Sequence, residues 1–158
     1  HRSFSWGSIV GRGHLTMEYY VNEFKPFIDA NFPTLSRREH TFIAGSSMGG
    51  LMTLYALAAY SGVFSRGAAL SPALDFWPEG VEAMIAEAEM QKTVLYMDMG
   101  SREMRRAAGR KLFGDVAALL VRRGVYLECR VVPGGEHNER SWERQIPFFL
   151  RTLLYEYR

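Results

Sequence analysis

The chain has 158 residues, 47% of them hydrophobic and 23% charged, enough for one domain with its own core and unlike a disordered or low-complexity chain. A net charge of +2 gives no strong pull toward nucleic acid or a membrane surface, and no run of 18 apolar residues or signal peptide is visible. The only cysteine, Cys129, excludes an internal disulfide framework and fits a reducing, cytoplasmic setting.

His1 to Leu15 reads as a loop with Phe4 and Trp6 as apolar anchors and a short strand at Ser8–Val10. Tyr20, Phe24, Phe27 and Ile28 have helical spacing, which predicts a helix from Met17 to Asn31, kinked at Pro26. Pro33 and the polar residues after it end that helix. A short apolar strand follows at about His40 to Ala44, then a helix from Met48 to about Tyr60. Gly67–Leu70 is a strand stopped by Pro72, and Ala73–Gly80 is a loop. A helix over Val81–Met90 precedes the nearly all-apolar strand Thr93–Met99, which reads as buried on both faces. A charged loop leads into a helix over Arg106–Arg123, with an apolar face through Leu112, Phe113, Val116, Leu119 and Leu120. Val125–Val132 is the last strand, and its alternating apolar run makes Cys129 a buried structural thiol. A helix over Ser141–Tyr157, with Pro147 early in it, closes the chain. Strands alternating with helices predict an α/β fold with a mostly parallel sheet flanked by helices, in one domain over residues 1–158.

Between the strand ending at Ala44 and the following helix lies Gly45-Ser46-Ser47-Met48-Gly49. This is G-x-S-x-G in the strand–turn–helix setting of a nucleophile elbow, with Ser47 on the tight turn. Gly45 and Gly49 are read as positions where side chains would collide, and Gly50 as one that lets the helix start pack tightly. The competing reading is a Ser/Gly turn that caps the helix through Ser46 or Ser47. A serine hydroxyl needs a base, and the base needs an acid to hold it. Candidates follow in the chain order Ser, acid, His, each past a strand end. His137 lies in the Gly-rich loop Pro133–Asn138 and is the expected base; His1, His14 and His40 read as solvated or structural. Glu103, in the loop after the strand Thr93–Met99, is the expected acid, with Asp98 and Asp75 as alternatives. The backbone N–H of Met48 is one oxyanion donor. A second usually comes from a loop after an earlier strand, and none is visible outside Trp6–Gly13. Trp77, Phe76 and Trp142 are candidates for a pocket lining, and Arg102 for contact with an anionic substrate.

Four stretches carry a resemblance to the putative-esterase group of α/β-hydrolases: Ala44–Gly50, Ala69–Ala73, Tyr96–Glu103 and Pro133–Trp142. The group includes esterase D (S-formylglutathione hydrolase), enterochelin-type siderophore esterases, feruloyl and acetyl-xylan esterases, and mycolyltransferases. The resemblance implies Ser47 as nucleophile, Glu103 as acid and His137 as base, acting on a carboxylic ester with no metal or organic cofactor. It also implies that roughly a hundred residues precede the part of the fold found here, supplying the first strands and the second oxyanion donor. The chain is therefore expected to be the C-terminal portion of such a domain, with an open sheet edge that a second copy could cover.

Overall fold

The computed structural model describes residues 5–6 and 9–155. Phe4, Ser8 and Tyr157 fall outside them. Two short strands, β1 (Ser5–Trp6) and β2 (Ile9–Val10), pair antiparallel. The main sheet has four parallel strands in sequential order: β3 (Phe42–Ser46), β4 (Arg66–Leu70), β5 (Val94–Gly100) and β6 (Tyr126–Val132). Helices connect them: α3 (Met48–Ala59) between β3 and β4, α4 (Pro78–Glu87) between β4 and β5, and α5 (Ala107–Arg122) between β5 and β6. Parallel neighbours need such crossovers, because a tight turn reverses direction.

The side-chain alternation of the strands divides the core into two layers. Ala69, Leu95 and Met97 point to one face and pack with Leu51, Leu54 and Leu57 of α3, Val81 and Ile85 of α4, and Phe113, Val116 and Leu120 of α5. Ala68, Leu70 and Tyr96 point to the other face, where they meet Leu153, Phe148 and Phe149 of α7 (Ile146–Leu153) and Trp142 of the short α6 (Glu139–Glu143). Strands β4 and β5 are thus buried on both sides, as their apolar runs require.

Several boundaries differ from the sequence reading, each for a local reason. The helix expected over Met17–Asn31 is α1 (Gly13–Tyr19), a π-helical turn (Tyr20–Phe24) and α2 (Lys25–Asn31). Pro26 has no N–H and its ring would strike the carbonyl one turn back; the wider turn, closed by Lys25 N–H to the Tyr20 carbonyl, accommodates it. The closing helix is split, because Pro147 is tolerated only in a first turn and so starts α7 afresh. The first strand of the main sheet is shifted two residues later, since Arg38–His40 forms a 3-10 turn. Cys129 is exposed on β6, which has a single neighbour among the described residues, so it is not the buried thiol expected. Packing around its sulfur and the nearby Asp98 push the thiol up to about 11, which keeps it protonated and unreactive at neutral pH.

The apolar residues of the first helical segment do form a helix, yet Tyr20, Phe24 and Phe27 are exposed. Only Met17 of that segment is fully buried against α3's layer. Strand β3 has one paired edge among the described residues. No described helix is long and apolar enough to cross a membrane.

Candidate active site

Because the four strands run parallel, their C-terminal ends share one edge of the sheet, and chain reversals there collect polar side chains. The register puts Ser46, Leu70, Asp98 and Arg130 level across the sheet, with β5 and β6 running on two residues to Gly100 and Val132. Ser47, Ser71, Glu103 and His137 all lie just past these ends.

Ser47 turns the chain from β3 into α3 with φ 56° and ψ −118°, a conformation side chains rarely adopt. Three backbone bonds hold it there. Its N–H donates to Leu70 O at 2.9 Å, and its carbonyl accepts from Leu51 N–H at 3.1 Å and Ala73 N–H at 3.0 Å. The neighbouring glycine explains why the turn can close. A Cβ on Gly45 would lie 2.6 Å from the Gly49 backbone. Gly50 is similarly tight, 3.0 Å from the Pro72 Cα. Gly49 differs from the expectation: a Cβ there would meet nothing within 4 Å, so its backbone is what approaches Gly45 and its own side-chain direction is open. Ser47 occupies the position before the first residue of α3, but its hydroxyl makes no capping bond. It faces His137 instead.

His137 Nε2 lies 2.8 Å from Ser47 Oγ, and His137 Nδ1 lies 2.5 Å from Glu103 Oε2. The three side chains, drawn from loops after β3, β5 and β6, form one hydrogen-bonded row. With Nδ1 bearing the proton toward the carboxylate, Nε2 is left to accept from the serine hydroxyl. The imidazole is half exposed, at 46% of its side-chain surface, whereas the Glu103 side chain is 13% exposed. The imidazole is thus open to a reactant while the acid sits behind it.

Two glycines that the sequence reading gave no role bring the acid and histidine loops together. A Cβ on Gly100 would sit 2.4 Å from the Gly135 backbone and 2.7 Å from Glu103 Oε1. A Cβ on Gly135 would in turn sit 2.9 Å from Gly100 Cα. The close approach permits Ser101 N–H to donate to Val132 O at 2.9 Å and Arg102 N–H to Gly135 O at 3.1 Å. The Gly100 N–H also donates to Glu103 Oε1 at 2.9 Å.

The alternative acids lie elsewhere. Asp75 is exposed in a 3-10 turn over Leu74–Phe76. Asp98 is 1% exposed and accepts from Tyr96 Oη at 2.9 Å and Ser71 N–H at 3.1 Å. Burial holds its carboxyl above the ordinary range, only partly offset by those two donors. Arg102 pairs with Glu136 across the rim, and this guanidinium lowers the Glu136 pKa. Trp142 packs edge-on to the His137 ring with centroids 5.0 Å apart. Trp77 is apart from the row: it borders a cleft of about 420 Å³ between α3 and α4, lined also by Ala58, Met84 and Glu87. Met48 is the first residue of α3, where a backbone N–H has no acceptor within the helix. The stretch Trp6–Gly13, the one part of this chain in which the sequence leaves room for a second donor, lies partly outside the described residues.

A four-stranded parallel sheet with its helices on both faces and a serine turn at its C-terminal edge defines an α/β-hydrolase-type protein. More narrowly, the chain belongs to the putative esterase family, whose model matches residues 8–153. Solved structures of similar fold include the BES protein from Bacillus cereus, with a TM-score of 0.76, 18% identity, and 96% of this chain and 58% of that one covered. An IroE-like serine hydrolase from Shewanella oneidensis matches with a TM-score of 0.75, 19% identity and coverage of 89% and 47%. A ferulic acid esterase matches with a TM-score of 0.67, 18% identity and coverage of 88% and 61%. The chain thus spans between about half and three fifths of these proteins' lengths.

Proposed function

We propose that this chain carries the reaction centre of a serine esterase that cleaves carboxylic esters through an acyl-enzyme. The observation that carries this reading is the continuous row Ser47–His137–Glu103, with bonds of 2.8 and 2.5 Å, reached from a serine at φ 56°. Ser47 Oγ attacks the ester carbonyl carbon as its proton passes to His137 Nε2. The carbonyl oxygen becomes an oxyanion facing the Met48 N–H, aided by the positive end of α3. Glu103 Oε2 holds Nδ1–H and stabilises the imidazolium. Collapse of the tetrahedral intermediate breaks the ester C–O bond, and the departing alcohol takes the proton from Nε2. Water then repeats the sequence on the acyl-serine, releasing the acid and restoring Ser47.

The family match supports ester hydrolysis as the reaction class. Two of the similar folds are a ferulic acid esterase and an enterobactin esterase, the second solved with 2,3-dihydroxy-N-benzoyl-serine, whose aromatic acid is joined through nitrogen. An ester whose molecule carries an aromatic group is therefore the substrate class to try first. The test is labelling with a fluorophosphonate and turnover of a short p-nitrophenyl ester, alongside Ser47→Ala. Labelling at Ser47, and a loss of roughly 10⁴-fold or more in turnover in the variant, is the expected result. Absence of both in wild-type protein would leave the second reading, a hydrolase-like module that does not turn over. The exposed first helical segment and the unpaired edge of β3 among the described residues favour that reading if the assay is blank.

A further inference from the structure

The esterase row explains one oxygen of Glu103. The other, Oε1, is held by a separate device. Ser71 follows β4, is 2% exposed, and takes φ 40°, the left-handed region that a serine rarely enters. Its backbone N–H is fixed to the carbonyl and carboxylate of Asp98, each at 3.1 Å. Its hydroxyl donates to Glu103 Oε1 at 2.7 Å, and Ser71 Oγ in turn accepts from Trp142 Nε1–H at 3.1 Å. An indole N–H can only donate, and a hydroxyl has one proton. With Trp142 donating into Ser71 Oγ, the serine proton is directed at the carboxylate.

We infer that Ser71 and Trp142 are positioning residues for the acid: a one-way chain, Trp142 N–H to Ser71 O–H to Glu103 Oε1, locks the carboxylate so that Oε2 meets His137 Nδ1. Together with the Gly100 N–H, the chain gives Oε1 two donors and leaves Oε2 to the imidazole. A glutamate side chain has three rotatable bonds, so without these anchors it would sample rotamers that leave His137 unheld. Trp142 acts twice, since its ring also packs edge-on against His137.

The proposal rests on the esterase reading, and its test separates the two. Ser71→Ala keeps the backbone strain and removes only the hydroxyl; Trp142→Phe keeps an aromatic ring at the position and removes the donor together with the second ring. In the p-nitrophenyl ester assay, Ser71→Ala is expected to lower kcat about tenfold with KM little changed, and Trp142→Phe about threefold. The double variant is expected to match Ser71→Ala alone, because Trp142 acts on the acid through Ser71. The second measurement needs no turnover: the His137 Nδ1–H proton resonance, read by NMR, should shift upfield and exchange faster in Ser71→Ala. An unchanged resonance in a folded Ser71→Ala protein overturns the proposal, as does a kcat within twofold of wild type. If Ser71→Ala does not fold, the same two readouts on Trp142→Phe decide. If wild-type protein fails to label at Ser47 while the resonance still moves, the esterase reading falls and the positioning role stands.

Discussion

Gly45 and Gly49 frame the same serine, yet a methyl group added to each meets different surroundings. At Gly45 it would enter the backbone of Gly49 at 2.6 Å, and neither chain can yield without opening the Ser47 turn. Gly45→Ala is therefore expected to cost about 3 kcal/mol and to lose fluorophosphonate labelling. At Gly49 the methyl group meets nothing within 4 Å, and the residue lies in the first turn of α3. Gly49→Ala is expected to fold as well as wild type or better, by up to about 1 kcal/mol, since alanine loses less backbone entropy on entering a helix. Urea denaturation of the pair checks both; equal costs would show that the motif's glycines act alike. Asp98 provides the pH-dependent case at this scale. Its folded-state pKa is raised by burial, so the folded protein binds this proton more tightly than the unfolded chain does. As pH rises above the ordinary aspartate value of 3.8, the folded state has to ionise a buried carboxyl, and this contribution to stability falls. Asp98→Asn removes that component. The stability difference, variant minus wild type, should grow in the variant's favour from about pH 4 upward and level off once Asp98 is ionised in both states. A flat difference over that range would place the Asp98 charge in contact with water.

Among the elements, α7 does for one face of the sheet what α3, α4 and α5 together do for the other. Leu153 is buried with Ala68, Leu70 and Tyr96, and Phe148 and Phe149 pack around them. Leu153→Ala is expected to cost about 2–4 kcal/mol in denaturant unfolding, because the cavity would lie between a rigid sheet and a short helix that cannot collapse far. Trp142 packs in the same cluster, so the variant should also show a weaker His137 Nδ1–H resonance. The strand–helix alternation was legible from sequence because β4 and β5 are apolar on both faces and α5 has a single apolar stripe. The row Ser47, Glu103 and His137 was legible as an order of residues past strand ends. What was not legible depends on contacts distant in sequence. Gly100 matters because Gly135 crosses it 35 residues later, and Ser71 because Trp142 and Glu103 converge on its hydroxyl. The Ser-Pro after β4 was a visible signal that the chain turns there, but nothing local marked the hydroxyl as buried. The breaks in the first and last helices follow from Pro26 and Pro147, whose positions were plain but whose remedies, a π-helical turn and a restarted helix, depend on neighbouring backbone.

At the scale of the whole molecule, burial is uneven. The layer under α3, α4 and α5 is closed, while the first helical segment turns aromatic rings outward. Phe27 is 59% exposed and Leu35 69%, and the rings of Tyr19, Tyr20 and Phe24 lie against one another, with centroids 5.8 to 6.2 Å apart. Strand β3 exposes Phe42 and has one paired edge among the described residues. Exposed aromatic side chains, and a strand with one paired edge among the described residues, are surfaces prone to self-pairing, and a net charge of +2 supplies little repulsion against it. This chain is therefore expected to self-associate with rising concentration in light scattering. The driving force is apolar burial, so association should strengthen in ammonium sulfate, whereas charge pairing would weaken as salt screens it. Phe27→Ser alters a side chain that is already 59% exposed, so it should shift the population toward monomer without lowering the unfolding midpoint. A wild-type chain that stays monodisperse and monomeric through heating would mean that this face is compatible with water as it stands, and the aromatic stacking within the segment would then be sufficient cover.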